Sequence, residues 1–143
     1  MIDINKPLRE AFMAALDETI TYDSTDIPAY HDQNPNEDEN IYIILNTQTE
    51  EDISNKAKFF TTGTLLVDVV HKTDGITYDV VDTIAGEIMN ILQPTPQTNG
   101  LTDPSGLQII NLRKLSSTPL TIPSPEGNVM RRLLRYEYKV AEN

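Results

Sequence analysis

The sequence predicts an α+β domain: a mostly antiparallel sheet of four to five strands packed with two helices, with long inter-strand loops. Two segments place apolar residues at three-to-four spacing, the mark of amphipathic helices. Several stretches are rich in β-branched residues and too short for buried helices. The length of 143 residues fits a single domain spanning 1–143, large enough for one core.

The first helix is carried by Leu8, Phe12, Ala15 and Leu16, with Ala11 and Ala14 as good helix formers. Pro7 suits its first turn, where a missing N–H costs nothing. The pattern fades over Asp17 to Asp26, where turn formers and β-branched residues mix. Ile27 to Tyr30 reads as a short strand, confined by Pro28 to an edge or a strand start. Ile41 to Thr49 is a strand, and Thr62 to Lys72 is another, with Leu65, Val67 and Val69 on one face. The connector between them, Glu50 to Phe60, is expected to be a long hairpin loop, unless the strands themselves extend past the core.

Asp74-Gly75 signals a turn. A second helix follows from Tyr78 to about Gln93, with Val80, Val81, Ile84, Ile88, Ile91 and Leu92 in one stripe. Thr77 fits an N-cap, Asp79 and Asp82 suit the positive end of the helix dipole, and Pro94 stops the helix. Pro94 to Gly106 reads as a surface loop, and Leu107 to Leu112 as a strand. Ser116 to Asn128 is Pro-rich and is expected to be irregular, or extended along an edge. The last strand, Val129 to Val140, puts Met130, Leu134, Tyr136, Tyr138 and Val140 on one face and Arg131, Arg135, Glu137 and Lys139 on the other. Arg132 and Leu133 break that alternation.

The net charge is −11, and its distribution is uneven. Residues 1–52 hold 13 acidic and 2 basic side chains, whereas residues 53–143 hold 9 of each. That disfavours general nucleic-acid binding, which needs a positive surface. Either the acidic third is a solvated surface, or it meets a neutral or basic partner. No apolar run approaches the roughly 20 residues of a membrane span, so no membrane contact is expected. The N-terminus has no basic segment followed by an apolar one, so synthesis without export is expected. With no cysteine there is no disulfide or thiolate chemistry.

Candidates for chemistry are few. His31 and Asp32 form a possible metal half-site if Glu37, Asp38 or Glu39 turns back toward them, but the spacing alone is weak. His71 beside Lys72 suits a strand end better than a general base. No nucleophile elbow or phosphate loop occurs, and no catalytic residue, cofactor or metal site is assigned. The Tyr136 and Tyr138 pair could stack on bases, though a core or interface role suits an acidic chain better.

The N-terminal helix, the edge with Tyr30-His31-Asp32 and Pro35, the polar gap, and the strand opening Ile41-Tyr42-Ile43 together resemble the tail-completion, or tail-terminator, proteins of tailed bacteriophages. Asn40 departs from the proline usual in that family, and Asn46 from a common glycine. The later order of connector, strand, helix and two closing strands also matches. The resemblance implies a non-enzymatic virion protein at the head–tail junction, made in the bacterial cytoplasm, forming a homo-oligomeric ring of about six or twelve copies. Portal, neck or tail-tube proteins would be its neighbours, and genomic DNA would pass through its lumen without specific binding.

Eight residues are expected at interfaces on this reading. Glu50, Glu51, Asp52, Lys56 and Lys58 of the connector would reach the lumen or a stacked ring. Arg131, Arg132 and Arg135 would face the acidic third of a neighbour. Two other classes stay open: a small acidic monomeric adaptor for a basic protein partner, and a metal-dependent enzyme using His31.

Overall fold

The computed structural model describes residues 1–36 and 38–143. Helix α1, Asn5–Leu16, buries Leu8, Phe12 and Leu16, with Ile4 just ahead of it, as the spacing requires. The helix ends at Asp17, whose carboxylate accepts from the Ala29 backbone N–H at 2.9 Å and so ties the helix end to the sheet. Between them lies a two-stranded hairpin, β1 (Thr21–Tyr22) and β2 (Thr25–Asp26), which the sequence reading did not separate from the surrounding turn formers. Its loop residues Asp23 and Ser24 have φ of 49° and 64°, the backbone of a two-residue turn that normally advertises itself with Asn-Gly.

The main sheet has five strands in the order β3-β4-β5-β7-β6. They are β3 (Ala29–His31), β4 (Ile41–Asp52), β5 (Phe60–Thr73), β6 (Leu107–Ser124) and β7 (Gly127–Glu142). Strand β3 pairs parallel with β4, and every other neighbour is antiparallel. Helix α2, Asp79–Leu92, lies between β5 and β6 in the chain and buries Val80, Val81, Ile84, Ala85, Ile88 and Leu92. The Thr77 hydroxyl accepts from the Asp79 N–H at 3.2 Å, so it helps the helix start although Tyr78 occupies the cap position.

Both helices cover one face of the sheet. That face presents Ile43 and Leu45 from β4, Leu65, Val67 and Val69 from β5, and Met130, Leu134, Tyr136 and Tyr138 from β7, all buried. Each large apolar side chain buried there stabilises the fold by about 1.5–3 kcal/mol. Tyr136 and Tyr138 are core residues, out of reach of any stacking base.

Two connections take the extended alternative that the sequence allows. Over Glu50 to Phe60 the strands run past the core, β4 to Asp52 and β5 from Phe60, and a seven-residue turn of residues 53–59 joins them. Ser116 to Asn128 lies extended along an edge: β6, the edge strand, continues to Ser124 and the chain turns through Pro125 and Glu126 into β7. Pro119 and Pro123 are tolerated since β6 is the sheet edge, where a missing N–H breaks no ladder bond. Two register shifts in β6 leave Ile110 and Leu115 as extra residues, and both side chains are exposed. Gly127, at φ 125°, completes the β6–β7 turn in a conformation that side chains disfavour.

Candidate functional site

The second face of the sheet carries no helix among the described residues. Paired positions share a face, so the register places Tyr42 and Ile44, Leu66, Asp68 and Val70, Arg131, Leu133 and Arg135, and Leu120 and Ile122 there. At its centre Asp68 is fully buried and receives both Arg131 nitrogens: Nε lies 3.2 Å from Oδ1, and a shorter contact joins the terminal nitrogen to Oδ2. Burial pushes the Asp68 carboxyl above its ordinary range, and the guanidinium pulls it back. The pair is a polar knot within an apolar patch, and Leu120 and Ile122 at its margin are exposed.

The three expected arginines do not share one surface. Arg131 is engaged by Asp68. Arg132 points to the helix side, donating to Ser117 Oγ and to Asp82 Oδ1, each at 2.6 Å, and so tethers β7 to the first turn of α2. That contact explains the break in alternation. Arg135 lies on the open face and donates to Gln48 Oε1 at 2.9 Å. Gln48 is the extra residue of a bulge in β4, which turns its side chain toward β7. Two further cations of this face sit over rings, Lys72 at 5.6 Å from the Tyr42 centroid and Lys139 at 5.1 Å from that of Phe60.

The connector residues gather at one end of the sheet. Glu50, Glu51 and Asp52 form the exposed end of β4, and Lys56 and Lys58 lie in the turn beyond it. The turn is ordered by its own side chains: Asn55 Oδ1 accepts from the N–H groups of Ala57 and Lys58 at 2.8 and 2.9 Å. Ser54 donates to Asp52, holding that carboxyl below its ordinary range. Ile53 and Phe59 are exposed there, and Met1, Ile2 and Phe59 line a shallow cleft at the same end. The charges of this tip are legible in the sequence, whereas the exposure of Ile53 and Phe59 is set by the fold.

Four carboxylates of the acidic third mark a third surface. A cleft of about 490 Å³ opens between the β1–β2 hairpin and β3, edged by Glu18, Asp23, Asp26 and Glu39, with Tyr22 and Tyr30 in its wall. Tyr30 donates its hydroxyl to Glu39 Oε1, which also accepts from Asn36 at 3.1 Å. The bond to Glu39 pushes the Tyr30 phenol up to about 12.

His31 sits at the end of β3, with Nδ1 3.3 Å from Asp32 Oδ2, and Asp32 adopts φ 67° where the chain leaves the strand. Glu39 is committed to Tyr30 instead of His31, and Glu37 lies outside the described residues. Among the described residues no three His, Asp or Glu side chains converge to hold a metal ion. His71 is half-buried at the far end of β5, where burial holds its imidazole below the ordinary value.

No protein-family model matches this sequence, and no curated protein matches it. The fold does have a counterpart. One chain of the virion of a native gene transfer agent particle superposes with a TM-score of 0.76 over 99% of this chain and 99% of that one, at 15% identity. The two chains therefore share a fold from end to end.

Proposed function

We propose that this chain is a structural virion protein of a tailed bacteriophage or phage-like particle, a ring-forming tail terminator or neck subunit at the head–tail junction. The observation that carries this reading is the fold shared with a virion chain over 99% of both lengths. The resemblance of the chain's element order to that of tail-terminator proteins points the same way.

On this reading the protein works through surfaces. Its ring of about six or twelve copies would stand between portal or neck and tail tube, with DNA passing through. The tip of β4 and β5 brings Glu50, Glu51, Asp52, Lys56 and Lys58 together with exposed Ile53 and Phe59, a mixed surface suited to a stacked ring or a tube subunit.

The test is the mass in solution by light scattering, with negative-stain imaging, across protein concentration and salt. A closed ring is expected. A strict monomer at every concentration and at low salt would overturn assembly by the isolated chain. It would favour a monomeric adaptor, a second reading supported by the acidic cleft beside β3 and its fit to a basic partner.

A further inference from the structure

Resting on the ring reading, we propose that the open face of the sheet docks a second copy of this chain, which meets it with the acidic surface around the hairpin cleft. The two surfaces lie on different sides of the molecule. The open face spans β4, β5, β7 and β6, whereas the cleft lies beyond β3, at the opposite edge from β6.

Charge complementarity selects the occupant. Five of the chain's 11 basic residues, Lys72, Arg113, Arg131, Arg135 and Lys139, fall on the open face by register. Asp68 and Glu137 engage Arg131 and Arg113. Among the described residues Lys72, Arg135 and Lys139 meet no carboxylate; their partners are two aromatic rings and the Gln48 amide. Across the molecule Glu18, Asp23 and Asp26 are exposed and form no ion pair among the described residues. The open face also offers Leu120 and Ile122, both exposed, with half-buried Leu66 and Leu133, as an apolar centre for a charged rim. Among the described residues seven of the 11 basic side chains form no ion pair, and three of them, Lys72, Arg135 and Lys139, lie together on this face, with exposed Glu18, Asp23 and Asp26 as their complement on the same chain.

The geometry of such a contact is fixed by its asymmetry. Each copy offers one face of each kind, so the contact is head to tail and repeats until the ring closes. Ion pairs at its rim steer the encounter and weaken as salt shortens the Debye length from about 10 Å at 0.1 M to about 3 Å at 1 M.

The experiment uses two charge reversals on the full chain, R135E/K139E on the open face and D23K/D26K on the acidic surface. Circular dichroism first confirms that both fold, and K6E on the exposed side of α1 serves as a control. At low salt each reversal alone should weaken self-association by about tenfold or more. An equal mixture should restore it, because every contact then joins opposite charges. A wild-type ring that persists in both reversals overturns the docking surface and leaves the ring reading intact. A wild-type open chain or dimer that both reversals abolish overturns the ring and leaves the docking surface. A wild-type monomer at all concentrations overturns the proposal, as does an open face that binds duplex DNA through Arg135 and Lys139 without joining copies.

Discussion

Asp68 and Arg131 form a two-pronged ion pair on the helix-free side of the sheet, with Asp68 fully buried and Arg131 partly exposed. Asp68 lies on β5, two residues along from Val70, the residue that Arg131 of the adjacent strand β7 faces in register. The pair explains how a carboxylate survives inside an apolar strand face, and it makes the first prediction.

Arg131→Met leaves the Asp68 charge buried and unpaired, which should cost about 2–3 kcal/mol at pH 7, below the range for fully enclosed pairs because Arg131 reaches solvent. Asp68→Leu with Arg131→Met should recover most of that loss. The sign with pH follows from the raised Asp68 carboxyl. Its favourable contribution is full below the ordinary value of 3.8 and is lost as pH rises through the folded-state value, so Arg131→Met should regain stability on acidification relative to wild type. Urea titrations of the three proteins at several pH values measure this. A loss under about 0.5 kcal/mol would mean that water already solvates the pair.

His71 supplies an opposite dependence. Burial depresses its imidazole below 6.5, so its contribution is complete above that value and is lost as pH falls through the folded-state value. One proton gives a slope of at most about 1.4 kcal/mol per pH unit. His71→Gln should flatten the decline in stability between neutral and mildly acidic pH. An unchanged slope would assign the decline to carboxylates.

Gly63→Ala should destabilise by about 1–3 kcal/mol through overpacking. A Cβ there would lie 2.3 Å from the Thr49 carbonyl and 2.4 Å from the Tyr138 hydroxyl. The ring could swing away, but the backbone oxygen belongs to the neighbouring strand. Thermal unfolding reads the effect, and a melting temperature equal to wild type would show that β4 yields freely.

Tyr136→Phe should leave stability unchanged or raise it slightly. The Tyr136 hydroxyl is buried without a hydrogen-bond partner among the described residues, and burial pushes the phenol up to about 12. Removing an unsatisfied polar atom eliminates a desolvation cost of about 1–3 kcal/mol while keeping the ring. A clear loss of stability in urea would reveal that the hydroxyl is bonded in solution.

Much of the fold was legible in local pattern. The spacing of Leu8, Phe12 and Leu16, and that of Val80, Val81, Ile84 and Ile88, placed both helices and their buried faces. The alternation of Met130, Leu134, Tyr136, Tyr138 and Val140 gave the inward face of the last strand correctly. Strand ends were harder. Glu50 to Asp52 and Ser116 to Ser124 are polar or Pro-rich, and only pairing with β5 and β7 holds them extended. The β1–β2 hairpin escaped notice because Asp23-Ser24 takes positive φ without glycine.

The candidate surfaces divide in the same way. Sequence alone determined the helix faces, the strand alternation, the absence of cysteine chemistry and the concentration of negative charge in the first 52 residues. Those properties are local or additive, so neighbours in the chain suffice to read them. Tertiary structure decided that Arg131 is bound to Asp68, that Arg132 faces the helices while Arg135 faces out, and that Tyr30 captures Glu39 beside an acidic cleft. Each of these joins residues set by strand register, bulges and turns, and a shift of one residue in pairing would send every side chain to the opposite face.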